Sequence, residues 1–163
     1  MAGEMKGQLF QPSVSKIGGL DAKYMILIAY FGAAVLGLIP GVRYVSWLIP
    51  LIIFLVDKDN KFIAFHAMQA LLLEALATVV YIIVGIIAFA ATVAAVASAG
   101  FFNPYGFGAG IGAVVVTGVI AVIVAIVIII FAILAAVKGY RYEIYEIPLV
   151  GTWAEKIVFK TTG

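Results

Sequence analysis

The chain has 163 residues, of which 66% are hydrophobic and 11% are charged, whereas soluble domains are roughly 45–50% apolar. Such a composition excludes a water-soluble monomer, and a formal net charge of +2 is too small to indicate nucleic acid binding. Because the sequence has no cysteine, disulfides, thiol catalysis and cysteine metal sites are excluded as well.

The charged residues lie in short clusters between long uncharged stretches. Residues 75–137 carry no charge, and between Asp21 and Asp57 the only charges are Lys23 and Arg43. Runs of about 18 or more apolar residues are typical of membrane-spanning helices. The sequence therefore predicts an all-α, polytopic membrane bundle with four hydrophobic segments.

The first two segments are separated by a predicted turn at Pro40 and Gly41. The first runs from about Asp21 to Ile39, with Asp21 as its N-cap. The second, from Val42 to Val56, measures only about 22 Å as a helix and contains Pro50. We expect this second arm to be short, bent or only partly inserted, since a bilayer core is about 30 Å thick.

The other two segments are longer. The third runs from about Phe62 to Ala97, and the fourth from about Ile111 to Val137, with a turn rich in glycine and aromatic residues at 100–108. We expect the first two turns of the third segment to lie at the level of the lipid headgroups. Residues 1–19 form a polar N-terminal segment without a cleavable signal, and residues 20–160 form a single membrane domain including the tail.

The C-terminal tail, which follows the fourth segment, has a sequence that predicts a short amphipathic helix on the cytoplasmic membrane surface. Thr152 and Glu155 have the spacing of a capping box, so the helix is expected to begin there with Trp153 and Ile157 on one face. Lys156 and the nearby Lys160 would face headgroups or water.

The basic residues predict the orientation. For four crossings, nine of the ten Lys and Arg residues lie on the side of the N-terminus, and Arg43 alone lies on the other. By the positive-inside rule, both termini are cytoplasmic, and we expect the chain in the plasma membrane of a prokaryote.

A polar stripe on the third segment consists of Glu74, Thr78 and Tyr81. Placing an ionised carboxylate in lipid costs about 2.5–3.5 kcal/mol on insertion scales. We therefore expect Glu74 to be paired, protonated or close to water. One interpretation is a path for an ion, proton or substrate. The other, which we favour, is a packing seam between helices, since the remaining segments offer no partner charges.

Two further sets of residues attract attention. Phe65, His66 and Gln69 lie close together, and we expect His66 to form interfacial hydrogen bonds with a loop or the tail; a metal or catalytic site of His66 with Asp57 or Asp59 is the weaker alternative. Small residues recur at four-residue spacing, which favours helix contacts inside the chain or with a partner. They are Gly108, Gly112, Ala121, Ala125, Ala132 and Ala136.

Three stretches carry a family resemblance: Gly19-Leu20-Asp21, the run 57–70 with Phe-His-Ala-Met-Gln at 65–69, and the ending at 136–151 and 154–157. They resemble small prokaryotic membrane proteins related to Tic-twenty, a component of the chloroplast inner-envelope import machinery. The resemblance implies a four-helix membrane domain, without implying an activity. The chain departs from the pattern of that family at Ala64, a position where the family commonly has Arg.

No catalytic constellation or phosphate-binding loop is evident in the sequence. We therefore expect a membrane scaffold or accessory subunit that is not an enzyme, binds no cofactor or metal, and assists protein assembly or translocation. Its expected partners are the lipid bilayer and other membrane proteins or further copies of itself. The alternatives are a small transporter or channel that uses Glu74 and, less favoured, a lipid-modifying enzyme that uses His66.

Overall fold

A computed structural model describes residues 5–36, 45–99 and 103–159. Within these ranges the regular structure is helical, with two isolated β-bridges and no strand. The helices are α1 (residues 22–36), α2 (Leu48–Val56), α3 (Lys61–Ala99), α4 (Pro104–Tyr140) and α5 (Val150–Phe159). The chain divides into a terminal unit, Met1–Glu74 with Ile130–Gly163, and a hairpin unit, Ala75–Ile129.

Helix α1 begins as the sequence predicts. The Asp21 carboxylate caps it by accepting a hydrogen bond from the Lys23 backbone N–H at 3.1 Å. The helix is α-helical over Ala22–Leu27, widens to a π-helix over Ile28–Gly32 and resumes as an α-helix over Ala33–Leu36. Such a π segment is a local irregularity rather than a break, so the first hydrophobic segment remains helical throughout its described residues.

Helix α2 is shorter than the second predicted segment. Its nine residues span about 13 Å, which cannot cross a hydrocarbon core of about 30 Å. Pro50 lies in the first turn, where its missing N–H costs no helical hydrogen bond. The predicted turn at Pro40 and Gly41 lies outside the described residues.

Only α3 and α4, among the described residues, are long and apolar enough to cross a membrane. The all-α fold class is thus confirmed, whereas the described structure does not show four spans. Helix α3 starts and ends within two residues of the predicted bounds, but α4 begins earlier, at Pro104, after Asn103 accepts a hydrogen bond from the Tyr105 N–H.

The hairpin unit has the dimensions and surface of a membrane-spanning pair. Its parts of α3 and α4, residues 75–99 and 104–129, are about 37 and 39 Å long. Large apolar side chains are exposed around both helices, including Ile86, Phe89 and Val116. A helix that is apolar on all sides is buried in protein or in lipid. Here the protein does not cover it.

The two helices of the hairpin unit contact each other along a seam of less exposed side chains. These positions recur every three or four residues: 77, 81, 84, 88, 92 and 95 on α3, and 110, 113, 117, 121, 124 and 128 on α4. A Cβ atom added to Gly110 would lie 3.6 Å from side-chain atoms of both Thr92 and Val96. We call this set of positions the hairpin seam.

The terminal unit has a conventional buried core around the start of α3. Phe62, Ile63 and Phe65 are almost fully inaccessible. The N-terminal segment is packed there: the Gly7 N–H donates to the Ile144 carbonyl at 2.9 Å, and the Phe10 ring stacks on Phe62 at 5.3 Å.

Helix α5 begins two residues before its predicted start. Thr152 therefore lies inside the helix, and its hydroxyl donates to the Leu149 carbonyl at 2.8 Å instead of forming the predicted capping box. Trp153 and Ile157 share a face, as predicted, and both are exposed. Lys156 is exposed, and Lys160 lies outside the described residues.

Candidate functional site

Among the described residues, the two most completely buried polar side chains are His66 and Gln69, which form a cluster with Tyr30 in the terminal unit. We call these three residues the core polar cluster. The Gln69 amide donates to the Tyr30 hydroxyl oxygen at 2.7 Å, and that oxygen lies 3.2 Å from His66 Nδ1. Because the hydroxyl already accepts from Gln69, its own proton is free to be donated to Nδ1. With Nδ1 as the acceptor, the remaining imidazole proton lies on Nε2.

Gln69 also binds the tail. Its Nε2 donates to the Tyr145 carbonyl at 3.0 Å, and its Oε1 accepts the Ile147 N–H at 3.1 Å. One amide thus satisfies two backbone groups of the connection between α4 and α5 while bonding to α1 through Tyr30. This arrangement holds three parts of the chain together, which is a structural task.

Aromatic rings enclose the imidazole. The Phe62 and Phe65 centroids lie 5.0 and 5.3 Å from that of His66, both edge to face. Tyr142 stacks on Phe62 at 5.7 Å, and its hydroxyl donates a hydrogen bond to the Asp21 carboxylate. Burial and the Asp21 carboxylate raise the pKa of Tyr142 to about 12, so the phenol remains a proton donor at neutral pH.

The sequence motif at 65–69 is therefore a packing motif in this structure. Phe65, His66 and Gln69 are all fully buried. Gln69 bonds to the Tyr145 carbonyl of the tail, and His66 lies beside the Tyr30 hydroxyl of α1. The depth of this part of α3 in a membrane stays a prediction.

The acidic residues proposed as partners of His66 have other partners. The Asp57 carboxylate is buried and accepts hydrogen bonds from the Ser15 hydroxyl and, at 2.7 Å, from the Lys16 N–H. Asp59 pairs with the Lys16 ammonium at 2.5 Å, which lowers the pKa of Asp59 and raises that of Lys16. In the described ranges, no group of three or more histidine or acidic side chains could hold a metal ion.

Two buried carboxylates were not anticipated from the sequence. Glu146 and Glu155 are 8% and 4% exposed. Burial, and then the charge of Glu155, raise the pKa of Glu146, while Lys6 opposes the shift through its charge and backbone. The sequence did contain an indication that Glu155 is buried. It shares a helical face with Gly151, Ala154 and Val158, and this is the buried face of α5.

The residues of the predicted polar stripe differ in burial. Glu74 is partly buried in the terminal unit; in the hairpin unit, Thr78 is exposed and Tyr81 is partly buried. Tyr81 belongs to the hairpin seam. Neither the path nor the packing interpretation of Glu74 is tested by these positions, and both stay predictions.

The small residues predicted to make helix contacts differ in burial. Gly108 and Gly112 are exposed, and a Cβ added to either would meet nothing within 4 Å, so their contact with a partner stays a prediction. Ala121 and Ala125 lie on the partly buried side of α4 in the hairpin unit. In the terminal unit, Ala132 is partly buried and Ala136 fully buried.

The family model of the MamF/MmsF proteins, described as the magnetosome magnetite crystal formation protein family, matches residues 21–154. The chain belongs to this family. No curated protein and no solved structure matches it.

Membership in MamF/MmsF corrects the resemblance to Tic-twenty-like proteins. Residues 57–70 and 136–151, which carried most of that resemblance, both lie inside the matched range. In the structure these stretches supply core packing, including Phe65, Gln69 and Ile147, and packing motifs of this kind do not specify an activity. The MamF/MmsF match offers no support for a role in protein translocation.

Proposed function

We propose that this protein is a non-enzymatic scaffold or accessory subunit that acts in magnetite crystal formation from within the magnetosome membrane. The observation that carries the proposal is the MamF/MmsF match over residues 21–154. Two helices long and apolar enough to cross a bilayer support a membrane location.

The chemistry of the terminal unit supports a scaffold role. The buried side chains of His66, Gln69 and Asp57 are hydrogen-bonded to α1, to the tail and to the N-terminal segment. Each of these contacts joins segments distant in sequence. Side chains engaged in this way stabilise a fold, whereas catalytic groups must reach a substrate.

Gene deletion tests the role in mineral formation. In a magnetite-forming bacterium that encodes this protein, loss of the chain should change the size or number of crystals seen by electron microscopy. Re-expression of the wild-type chain should restore them. Unchanged crystals in the deletion strain would contradict the proposal.

Crosslinking in intact membranes tests the scaffold role separately. We expect the chain to be recovered, after mild detergent extraction, in complexes with other magnetosome membrane proteins or with further copies of itself. Recovery only as a monomer under several crosslinking conditions would argue against a scaffold even if the deletion changes the crystals.

A flux measurement distinguishes this proposal from a transporter or channel that uses Glu74. Wild-type protein and the Glu74→Gln variant, each reconstituted in liposomes, should show the same leak-level flux of protons and metal cations. A wild-type flux above the leak that is lost in Glu74→Gln would favour transport instead.

A further inference from the structure

Helix α5 has two apolar faces, of which the protein covers one. The buried face consists of Val150, Gly151, Ala154, Glu155 and Val158. Opposite to it, Trp153 and Ile157 lie one turn apart on α5, and the exposed Leu149 directly precedes the helix. Leu149, Trp153 and Ile157 are 70%, 56% and 41% exposed. We call these three residues the outer ridge.

The backbone at Leu149 has a strained conformation that supports a role for its exposed side chain. Leu149 has φ 68°, in the left-handed region that a leucine side chain disfavours. Its carbonyl accepts hydrogen bonds from the Thr152 hydroxyl and from the Trp153 N–H, so the start of α5 holds this conformation. Glycine or asparagine would adopt it with less strain, yet the position carries a large apolar side chain that points away from the core.

One cationic group lies beside the ridge, and a second lies at the C-terminal end of α5. Lys156 is exposed and directly precedes Ile157. The Lys61 ammonium lies at the C-terminal end of α5, where it donates to the Val158 carbonyl at 2.9 Å. The cores of protein–protein interfaces are poor in lysine. In contrast, an apolar face with a tryptophan and adjacent lysines is typical of helices that lie in the headgroup region of an anionic bilayer.

We propose that the outer ridge of α5 inserts into the headgroup region of an anionic lipid bilayer, with Leu149, Trp153 and Ile157 towards the acyl chains and Lys61 and Lys156 at the phosphates. The helix then lies parallel to the membrane surface, and its opposite face stays packed on the terminal unit. This attachment is independent of the role in magnetite formation.

Site-directed spin labelling of the full chain in vesicles tests the proposal, because the sequence has no native cysteine. The vesicles contain phosphatidylcholine and phosphatidylglycerol. Labels at Leu149→Cys and Ile157→Cys should be relaxed by lipid-soluble oxygen and protected from a water-soluble nickel chelate. Leu9→Cys provides a matched control, since Leu9 is also an exposed leucine but lies outside the ridge.

Three outcomes would overturn the proposal. Nickel accessibility at Leu149 equal to that at Leu9 would show a ridge in water. Protection from both oxygen and nickel would show a ridge covered by protein, either a second copy or another partner. Unchanged depth in vesicles of phosphatidylcholine alone would contradict the contribution of the two lysines.

Tryptophan fluorescence provides a second measurement if the cysteine variants fold poorly. The chain has two tryptophans, so Trp47→Phe leaves Trp153 as the only indole. Its emission should be blue-shifted and quenched severalfold more by lipids brominated near the headgroup than by iodide in the buffer. The reverse order of quenching would contradict insertion.

Discussion

Gly139 of α4 lies against Ile26 and against His66 of the core polar cluster. A Cβ atom at this position would come within 2.7 Å of Ile26 Cγ2 and within 3.3 Å of two His66 ring atoms. These neighbours are buried, so they have little room to move. A glycine in a helix normally lowers stability compared with alanine, and here the tight contact explains why it is used.

We expect Gly139→Ala to lower the free energy of unfolding by about 1–3 kcal/mol, because it overpacks this contact. The measurement is thermal unfolding in detergent, followed by circular dichroism. Gly85→Ala is the matched control, since Gly85 is also helical but an added Cβ would meet nothing within 4 Å. A Gly139→Ala variant as stable as the control would contradict the close packing.

Within the core polar cluster, Gln69 makes more hydrogen bonds than Tyr30 or His66. Replacing it with leucine keeps a similar volume but leaves the Ile147 N–H and the Tyr145 carbonyl without their partner. We expect a loss of about 2–5 kcal/mol and faster hydrogen exchange at residues 145–148, since unsatisfied backbone groups are costly when buried. Hydrogen–deuterium exchange with mass spectrometry measures this effect.

Tyr30→Phe serves as the comparison for Gln69→Leu. It removes the hydroxyl that bonds to Gln69 and His66 but keeps both hydrogen bonds to the tail. Its effect on the exchange of residues 145–148 should therefore be smaller. Equal effects of the two variants would show that the tail does not depend on the Gln69 bonds.

At the scale of elements, the buried Glu146 carboxylate, which is influenced by the charge of Glu155 on α5, should make the stability of the tail depend on pH. Because the folded pKa of Glu146 lies above its ordinary value of 4.5, the folded state binds its proton more tightly than the unfolded state does. The resulting stabilisation is complete below about pH 4.5. It is lost as pH rises through the folded pKa.

Glu146→Gln should accordingly stabilise the tail at neutral pH and have little effect at pH 4. Hydrogen exchange of residues 144–159 should slow by about tenfold for each unit that the folded pKa of Glu146 exceeds the unfolded one. Glu143→Gln is the control. Glu143 pairs with Lys138 at 2.8 Å in a partly exposed bridge, so its removal should give no gain at pH 7.

The hairpin seam leads us to expect different effects on stability from substitutions at two neighbouring glycines of α4. We expect Gly110→Leu to force α3 and α4 apart and to cost about 1–3 kcal/mol. Gly112→Leu, on the open side of the same helix, should be tolerated. The measurement is the midpoint of unfolding in a titration with dodecyl sulfate. A lower midpoint for Gly112→Leu than for Gly110→Leu would contradict the hairpin seam, because it would indicate that α3 contacts the face of α4 that carries Gly112.

At the scale of the whole molecule, the pairing of the two ends bears on topology. The Phe10 N–H donates to the Tyr142 carbonyl at 2.8 Å, and Leu9 and Glu143 form an antiparallel bridge. Segments that share backbone hydrogen bonds must lie on the same side of a membrane. We therefore predict that the N-terminal segment and the tail share a compartment, with two crossings as well as with four.

Reporter tags test this arrangement. Tags at the two ends should both report the cytoplasm, where the basic residues are expected by the positive-inside rule. A tag inserted at Asn103, between the two long helices, should report the opposite side. Terminal tags in different compartments would contradict the backbone pairing.

Local sequence was sufficient to predict the two long helices and the start of α1. Residues 75–137 have no charge, and a chain of such length and apolarity in lipid must satisfy its backbone within a helix. The Asp21 cap is likewise a contact between near neighbours. These features depend on composition, periodicity and adjacent residues.

The candidate site depended on contacts between distant parts of the chain. Nothing near His66 in the sequence indicates that Tyr30 lies beside it, or that Gln69 binds Ile147. The same holds for Gly110, which lies in the hairpin seam while Gly108 and Gly112 do not. A helical repeat shows which residues share a face, but the facing element decides which face is buried, and that decision requires the packed chain.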